Sequence, residues 1–429
     1  MFNSINELKE LTEQQTEWRG RCLNLIASEN LASKTVRWYL TSDFGHRYNT
    51  FYDDPMKRNY LGNKYIALVE TKARETAQKL FGCHFVELRP LGGEMAGNAV
   101  ILGLTEEGDT VLETGENFGG QEICSRLISA GLLKNSLNVE YLAYDLKTSD
   151  LDIETNEKLI LKTKPKLIIF GKGRPLFPES IDKLRPVIKE VGAYTAYDIS
   201  HILGLIAGKA FFNPLDYGAD VIMGSTHKTF PGPQGGIILC NDEEIFRKIR
   251  LGLYPPLVTN HHANRIAAMA AALIEMLEFG EEYHSQIIKN SQALGKALYD
   301  RDFNVLFPEL GFSKSHQLHV DVSEFGGGVM VADLLEKANI ILGATTSIGD
   351  IIKGTKKMSI RMGTQEITRT GMKEKDMNQV AEFFKRLLID KENTEIVKKD
   401  LAEFVSNFNR IHYTWDDNTP AYDIISNFD

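Results

Sequence analysis

The sequence predicts an α/β protein in which a large domain built on a mostly parallel sheet is followed by a smaller α+β domain. Between about residues 85 and 240, short apolar runs alternate with helical stretches, a pattern typical of parallel strands joined by helices. The chain has 429 residues, 43% of them hydrophobic, which is enough for two cores. We therefore expect an N-terminal arm over 1–35, a large ligand-binding domain over 36–275 and a small domain over 276–429.

The predicted elements follow in order along the chain. Apolar residues at helical spacing predict a helix over 5–24, followed by a loop rich in aromatic and charged residues over 46–65 and a helix over 67–80. Apolar runs predict strands of the large sheet at 110–113, 167–170, 194–197, 221–223 and 236–239. After a long helix from 263 to about 300, we expect strands at 317–322 and 358–361 and helices at 331–338 and 375–388.

Charge and composition argue against several classes of function. The net charge of −9, without a basic stripe, argues against nucleic-acid binding. The sequence has neither an apolar run long enough for a membrane span nor the features of a signal peptide, so no membrane partner is expected. Four scattered cysteines without CxxC spacing fit a reducing cytoplasm. The adjacent His261 and His262 are a poor metal pair, and no metal site is predicted.

A glycine-rich segment after one predicted strand contains the first candidate catalytic residue, Lys228. The apolar run 219–223 leads directly into the sequence GSTHKTFPGPQGG at 224–236. A lysine between small hydroxyl residues and a glycine-rich turn is accessible but conformationally held. Such a lysine can form a Schiff base with an aldehyde cofactor.

Asp198 and His201 are candidates at the end of a second strand. An aspartate at the carboxyl end of a strand points into the crevice where open α/β sheets bind ligands. Its carboxylate can pair with a protonated pyridine nitrogen, which keeps the ring of pyridoxal phosphate (PLP) an electron sink. Taken singly, Asp198 could instead cap a helix and His201 could be a core histidine. Together with Lys228, they favour a PLP site.

Four motifs in order give the chain a resemblance to the serine hydroxymethyltransferase family. They are LIASEN at 25–30, DISHILGLIAG at 198–208, STHKTFPGPQGG at 225–236 and SIRMGT at 359–364. The segments NHH at 260–262 and MLEFG at 276–280 are similar to the archaeal branch, and the similarity runs over roughly 5–415. The resemblance implies the fold type I of PLP-dependent transferases, with a seven-stranded sheet in a PLP-binding large domain, and a cytoplasmic homodimer.

The resemblance also implies a role for each matching residue around the cofactor. Lys228 would link to PLP, Asp198 would hold the pyridinium, and His201 would orient cofactor or substrate. His227 would contact the phosphate. Further cofactor-binding positions are expected at Gly92, Gly93, Gln121 and Ser225.

A second set of matching residues is expected to bind a small amino-acid substrate. Arg361 has a planar guanidinium suited to bidentate capture of an α-carboxylate. Ser28 and Glu29 match the N-terminal motif that touches substrate in the family, although Ser28 could equally cap a helix. Tyr48 and Tyr60 match active-site tyrosines, of which the first reaches across a dimer interface in the family.

The chain departs from the family pattern around both substrate and cofactor. The loop from Tyr48 to Arg58 is longer and lacks the family's glutamate, so Asp53 or Asp54 would have to substitute. In the phosphate loop, LGGEMA at 91–96, the usual serine is missing and Glu94 adds a negative charge, although backbone N–H groups can still bind phosphate.

Further departures affect the ring of the cofactor and the carrier. Gln121 stands where the family stacks a histidine, and an amide cannot carry a proton near neutral pH. Phe118 is an alternative stacking partner, and Gly173 replaces a serine that touches the cofactor. Lys172 and Arg174 either are solvated or bind an extra anionic group of the substrate. The segment 343–349 replaces a loop that contacts the pteridine, which weakens the expectation of a tetrahydropterin carrier.

Two hypotheses of function follow. The first is a PLP enzyme acting at Cα of a small amino acid, by glycine/serine hydroxymethyl transfer or by a pterin-independent aldolase, transaldolase or other Cα reaction. The second is a non-catalytic homologue. The presence of Lys228, Asp198, His201 and Arg361 argues against the second, because unpaired buried charge is costly to retain.

Overall fold

The computed structural model describes residues 4–133, 137–416 and 418–423. These residues form two compact units. Unit 1 contains the described residues of 1–31 and 285–429, and unit 2 contains those of 32–284. The three-part division into 1–35, 36–275 and 276–429 stays a prediction.

The strands, in chain order, are β1 (Leu23–Asn24), β2 (Phe85–Glu87), β3 (Thr110–Glu113), β4 (Asn138–Tyr141), β5 (Tyr144–Asp145), β6 (Asp150–Leu151), β7 (Leu167–Phe170), β8 (Tyr194–Asp198), β9 (Val221–Ser225), β10 (Gly236–Cys240), β11 (Asn304–Val305), β12 (Gln317–Asp321), β13 (Ile340–Ile341), β14 (Gly343–Thr345) and β15 (Ser359–Gly363).

The α-helices are α1 (Ile5–Arg19), α2 (Lys34–Leu40), α3 (Lys64–Phe81), α4 (Gly93–Leu104), α5 (Ile123–Ser129), α6 (Ile153–Thr163), α7 (Ile181–Val191), α8 (Leu203–Ala207), α9 (Glu243–Leu253), α10 (Ala263–Tyr299), α11 (Gly328–Lys337), α12 (Ile348–Lys353), α13 (Gln365–Arg369), α14 (Met377–Leu388) and α15 (Thr394–Val405).

Unit 2 contains a seven-stranded sheet in the order β2-β10-β9-β8-β7-β3-β4. The five strands from β9 to β4 are parallel, and β10 runs antiparallel to both of its neighbours. The predicted mostly parallel sheet is therefore confirmed. All five predicted strands lie within strands of this sheet, but sequence analysis missed β2 and β4. The first has only three residues and the second is a polar, largely exposed edge strand, so neither gives an apolar run.

The inner strands β7, β9 and β10 are buried along their whole length. Helices α4 and α9 supply part of the apolar layer that covers the sheet, including Val100, Ile101 and Ile249. Strands covered on both faces need apolar residues at consecutive positions, which is why they were readable from the sequence. The carboxyl ends of β8 and β9 lie side by side, since Asp198 is in register with Met223.

Unit 1 contains a four-stranded antiparallel sheet in the order β11-β12-β15-β14. Its core includes Leu318, Val320, Ile360 and Met362 from the two central strands. Because successive side chains of a strand alternate between faces, Arg361 lies on the face opposite to Ile360 and Met362. It is in register with His319 on β12 and Gly343 on β14.

The first helix is shorter than predicted. Its side-chain cap is Ser4, and it ends at Arg19, where Gly20 closes the last turn. The expected continuation to residue 24 is wrong, because Leu23–Asn24 forms a strand paired with Ile340–Ile341. Leu23 and Leu25 are fully buried in the core of unit 1, so tertiary packing decides the conformation here.

Candidate active site

Asp198 and Lys228 lie beyond the carboxyl ends of adjacent parallel strands. Asp198 is the last residue of β8, and Lys228 follows three residues after the end of β9. The hydroxyl of Thr229 donates to the carbonyl oxygen of His201 at 3.0 Å and accepts from the N–H of Gly204 at 3.1 Å. The chain beside the lysine is therefore tied to the chain that follows Asp198.

The Asp198 carboxylate is half-buried and held by its own backbone. One of its oxygens accepts from the N–H of Ser200 at 2.8 Å. The alternative role as a helix cap is wrong, because α8 begins only at Leu203 and its cap position is Ile202. His201 is buried, with 3% exposure.

A small pocket lies at the carboxyl ends of β3, β7 and β8. It is lined by Glu113, Thr114, Gln121, Glu122, Ile123, Ile169, Phe170, Gly171 and Asp198. Three carboxylates in one low-dielectric pocket favour a cationic group over an anionic one. A protonated ring nitrogen fits that requirement. Sequence analysis predicted Asp198 and Gln121 separately, and the structure places them in the same pocket.

The start of α4 forms a close contact with the strand end before Lys228. A Cβ on Gly93 would lie 2.6 Å from Ser225 Oγ and 3.0 Å from Ser200 Oγ, so only glycine fits here. Ser225 donates its backbone N–H to Ser200 Oγ at 3.0 Å. A helix N-terminus beside two hydroxyls is suited to binding phosphate. Sequence analysis missed Ser200, although it lies between Asp198 and His201 in the same motif.

His227 supplies a further polar atom beside Lys228. Its Nδ1 is buried and has no hydrogen-bond partner among the described residues. Burial, and then the charge of Lys228, lower the pKa of this imidazole to about 4. A buried nitrogen of this kind is satisfied when a ligand with oxygen atoms binds. Together with the Gly93 contact, it fits the phosphate of PLP.

Glu94 is not an isolated negative charge at this helix start. Its carboxylate lies 3.7 Å from the guanidinium of Arg126, and both side chains are about half exposed. Burial raises the pKa of Glu94, and the charge of Asp198 raises it further. The carboxylate therefore opposes an anion less than its position in the sequence implies.

The tyrosines of the first loop contact each other. The ring centroids of Tyr48 and Tyr60 are 5.2 Å apart, and the side chains are 49% and 50% exposed. Asp54 accepts from the N–H of Met56 at 2.9 Å and so caps the turn at Pro55–Lys57. Asp53 is exposed. One of the two candidate substitutes for the missing glutamate thus already has a structural role.

Sequence analysis missed the residue that anchors this loop, Phe51. Its ring is fully buried, with the guanidinium of Arg89 4.7 Å and that of Arg74 5.1 Å from its centroid. Arg89 also donates to the carbonyl of Phe51 at 3.0 Å and pairs with Glu87 at 2.6 Å. Arg74 and Arg89 lie 23 and 38 residues from Phe51 in the sequence and give no local signal, so the anchor could not be predicted.

In unit 1, the two candidate substrate-binding segments are joined. The backbone of Gly363, two residues after Arg361, donates to Leu25 at 2.9 Å. The side chain of Gln365 donates to the carbonyls of Ile26 and Glu29, both at 2.7 Å. The strand with Arg361 therefore holds the segment with Ser28 and Glu29.

The side chains of Ser28 and Glu29 have different surroundings. Ser28 lies in a turn and does not cap a helix; the cap of α2 is Ser33, which accepts from Val36 at 3.2 Å. Glu29 pairs with Arg19 at 2.7 Å. Arg19 also faces the buried Glu366, whose pKa burial raises to about 7.

The cationic loop after β7 is not a solvated one. Lys172 is buried, donates to the carbonyl of Ser149 at 2.6 Å and pairs with Glu179 at 3.4 Å. Burial lowers its pKa. It is thus held inside unit 2, so the interpretation of Lys172 as a solvated loop lysine is wrong. A role in binding an anionic group of the substrate stays a prediction. Arg174 is half-buried and donates to the carbonyls of Glu116 and Asn117.

The ring of Phe118 stacks on Tyr144, with centroids 4.9 Å apart, so one of its faces is already covered. Gln121 and Phe118 both stay candidates for the ring position. Among the described residues, no cluster of three or more histidines, cysteines or acidic side chains is arranged to hold a metal.

Comparison with known proteins identifies the family. A family model described as serine hydroxymethyltransferase matches residues 2–384. The chain belongs to the serine hydroxymethyltransferase family. The enzyme of that name from Methanosphaera stadtmanae is 41% identical over 425 residues, covering 99% of each chain. The one from Pyrococcus horikoshii is 40% identical over 414 residues, covering 95% of this chain and 96% of the relative.

A solved structure extends the comparison to the fold. The L-threonine transaldolase from Pseudomonas fluorescens, in its internal aldimine state, superposes with a TM-score of 0.88. It is 27% identical, over 96% of this chain and 94% of that one. The predicted fold type I and membership of a family of PLP-dependent transferases are confirmed. Within the described part of the chain, no helix is both long and apolar enough to span a membrane.

Proposed function

We propose that this serine hydroxymethyltransferase family member is a PLP-dependent enzyme that acts at Cα of a small amino acid. One observation carries the proposal. Lys228 and Asp198 follow the ends of adjacent strands, with a phosphate-binding arrangement at Gly93 and a carboxylate-lined pocket at Asp198. An aldehyde cofactor with a phosphate at one end and a basic ring nitrogen fits both.

The residues that would hold PLP are Lys228 at its aldehyde carbon, Asp198 at its ring nitrogen, and Gly92, Gly93, Ser200, Ser225 and His227 at its phosphate. The bound cofactor supplies a conjugated ring that accepts the electron pair released when a bond at Cα breaks. His201 would orient the cofactor or substrate, as its motif position suggests.

The remaining roles belong to side chains that bind the substrate and move protons. Arg361 would bind the α-carboxylate through two N–H donors and so fix which Cα substituent is cleaved. Lys228 Nζ would take and return the proton at Cα. Ser28, Glu29, Tyr48 and Tyr60 would contact the substrate side chain.

Glycine/serine hydroxymethyl transfer is the main proposal, supported by curated relatives of that name. A pterin-independent aldolase or transaldolase reaction is the alternative. It is favoured by two changes at the site: Gln121 puts a neutral amide in the Asp198 pocket, and Asp54 is engaged in capping a turn. The first position thus lacks a group that carries protons near neutral pH, and at the second Asp54 caps a turn while Asp53 is exposed. The two reactions differ in whether a tetrahydropterin carrier is used, and the use of this carrier is left open in the proposal.

The test begins with absorbance. Purified protein with PLP should show a near-visible band from the linkage to Lys228, and Lys228→Ala should abolish it. Lys209→Ala, at an exposed lysine, is the matched control. Wild-type protein that stays spectrally silent with excess PLP would refute the proposal. L-Serine and L-threonine, each with and without tetrahydropterin, would then distinguish the two reactions. Hydroxymethyl transfer forms glycine from L-serine only when the carrier is present to take the one-carbon unit, whereas an aldolase, or a transaldolase given an acceptor aldehyde, releases acetaldehyde from L-threonine without the carrier.

A homodimer is also part of the proposal. Unit 2 exposes a run of large apolar side chains between residues 38 and 68, namely Trp38, Leu40, Tyr48, Tyr52, Met56, Tyr60, Leu61, Tyr65 and Leu68. So many exposed apolar side chains in one segment are typical of an interface. Sedimentation should give twice the 48.2 kDa of the chain, and a fully active monomer would contradict the dimer. A cytoplasmic location stays a prediction, in keeping with four buried, unbridged cysteine thiols.

A further inference from the structure

Two positions that depart from the family pattern, Gln121 and Gly173, contact each other. A Cβ on Gly173 would lie 2.6 Å from Nε2 of Gln121, closer than such atoms approach in proteins. The backbone N–H of Gly173 donates to Gly119 at 2.6 Å, which joins the two segments. The amide of Gln121 can occupy its position only because residue 173 has no side chain.

The loop that carries Gly173 is fixed at both sides. Gly171, with φ of +101°, packs against the backbone of Asp198 too closely for any side chain. Between the two glycines, the Lys172 ammonium lies 4.1 Å from the ring centroid of Tyr144 and 3.4 Å from the Glu179 carboxylate. The loop therefore cannot move aside easily to accommodate a larger residue 173.

The position of Gln121 matters because it lines the pocket that contains Asp198. Around this pocket, the buried Glu113 accepts from the N–H groups of Cys124 and Ser125, at 3.1 and 3.0 Å, and Glu122 accepts from Glu116 at 2.6 Å. These two carboxylates are engaged with the backbone. Gln121 thus supplies the side-chain amide, a donor and an acceptor in one group, at this pocket.

We propose that Gln121 is a specificity-determining residue and that Gly173 positions it. The inference rests on the proposed function, since it requires the cofactor ring to bind beside Asp198 and Gln121. Beside that ring, the neutral amide of Gln121 offers a donor and an acceptor to the substrate side chain, and a side chain at residue 173 would displace it. The relative affinities of small amino acids then depend on residue 173, although residue 173 touches none of them.

A double-mutant cycle tests the coupling. The four proteins are wild type, Gly173→Ala, Gln121→Ala and the double variant, each as the PLP holoenzyme. The backbone at Gly173 is not in the left-handed region, and an alanine Cβ there would lie 2.6 Å from Gln121 Nε2 and 3.3 Å from the backbone oxygen of Gly119. The contact with Gly119 is present in both Gly173→Ala and the double variant, so the cycle isolates the contact with Gln121. Gly280→Ala, in α10, is the control, because its Cβ would meet nothing closer than 3.6 Å. Dissociation constants for glycine, L-serine and L-threonine are measured from changes in the cofactor absorbance.

Each single variant should weaken binding of at least one amino acid by about 3–10-fold, the effect of one hydrogen bond, and change the ratio among the three. The double variant should bind each amino acid no more weakly than Gln121→Ala does, because without the Gln121 amide alanine at 173 has no side-chain amide to displace. Additive effects, or an unchanged ratio in Gly173→Ala, would overturn the proposal. So would a holoenzyme that binds none of the three amino acids.

A pH profile separates positioning from mere support of the fold. Gln121→His should introduce an ionisation between pH 5 and 8 in amino-acid binding, because imidazole titrates in this range and the amide does not. A profile identical to that of wild type would show that residue 121 does not act on the bound ligand. Failure of wild type to bind PLP would instead refute the proposed function itself, so the two failures are distinguishable.

Discussion

The two ends of the proposed cofactor site differ in the kind of group that forms them. At the phosphate end, the start of α4, the backbone of Ser225 and two serine hydroxyls meet around Gly93. At the ring end, the pocket is formed largely by side chains, among them Asp198, Gln121 and Glu113. Backbone donors persist when side chains change, whereas a pocket made of side chains can be altered one residue at a time. If PLP binds here as proposed, we expect substitutions at the ring end to change the reaction more than substitutions at the phosphate end.

The largest effect should come from the ring end. Asp198→Ala should lower turnover by about 10²–10³-fold, because it removes the charge that stabilises a protonated ring nitrogen. Asp198→Asn is the matched variant, since it preserves the shape and the hydrogen bond from Ser200 but not the charge. Turnover is measured at saturating PLP. Full activity of either variant would contradict the pairing of Asp198 with the ring nitrogen. It would also remove the expected difference between the ring end and the phosphate end in their effect on turnover.

Substrate capture in unit 1 should give the next largest effect. Arg361→Ala should raise KM for the amino acid by about 10²-fold, through loss of charge-assisted hydrogen bonds worth roughly 1.5–3 kcal/mol. The absorbance of bound PLP should not change. Arg361→Lys, which retains charge but not the planar pair of donors, should recover only part of the loss. Unchanged KM in both variants would remove Arg361 from this role.

A smaller effect is expected from His227 at the phosphate end. Its pKa is about 4 in the folded protein, against an ordinary value of 6.5 for an exposed imidazole, so the unfolded chain binds the proton first as the pH falls. The free energy of unfolding of the PLP-free protein should therefore decrease from pH 6.5 to 4, by at most about 2 kcal/mol since the ring is partly exposed. His227→Gln should remove this part of the pH dependence.

Urea unfolding at pH 7.5, 6 and 5 measures this pH dependence of the free energy of unfolding. His84→Gln controls for the loss of an exposed imidazole. Added PLP should reduce the decrease, because a phosphate favours the protonated ring. An identical pH dependence in wild type and His227→Gln would show that this histidine is not a titrating group of the site.

The smallest effect concerns the charge at the start of α4. Glu94→Gln should tighten PLP binding by about 2–5-fold, because an acidic group no longer competes with phosphate at the helix N-terminus. The effect is small since Arg126 already offsets the charge. Glu107→Gln, at an exposed carboxyl beyond the other end of α4, is the control. Weaker binding in Glu94→Gln would mean that Glu94 helps to hold the cofactor through Arg126.

The parts of the fold that could be predicted were those with a local signal. Buried strands such as Leu167–Phe170 are continuous apolar runs, and Asp198 ends such a strand while Lys228 lies three residues after the end of another. The helix start at Gly93 could be predicted because glycines mark it, and its role in binding phosphate stays a prediction. Ser200 could also have been predicted as a site residue, because it lies between Asp198 and His201 in the same motif.

What could not be predicted depends on contacts between distant segments. The burial of Lys172 requires Glu179 and Tyr144 from other elements, so its sequence surroundings suggested a loop cation. The contact between Gln121 and Gly173 joins two departures that were considered separately. The predicted end of α1 was wrong because Leu23 pairs with a strand more than 300 residues away in the sequence.

The ring of Phe51, enclosed by two guanidinium groups, has a consequence for how the first loop can vary. The buried side chain of Phe51 divides the loop into two shorter segments, each fixed at one end by Phe51. Residues inserted before or after Phe51 then extend into solvent and leave the packing of Phe51 unchanged. The loop can thus contain extra residues beside Tyr48 and Tyr60 and keep a conformational entropy close to that of a shorter loop.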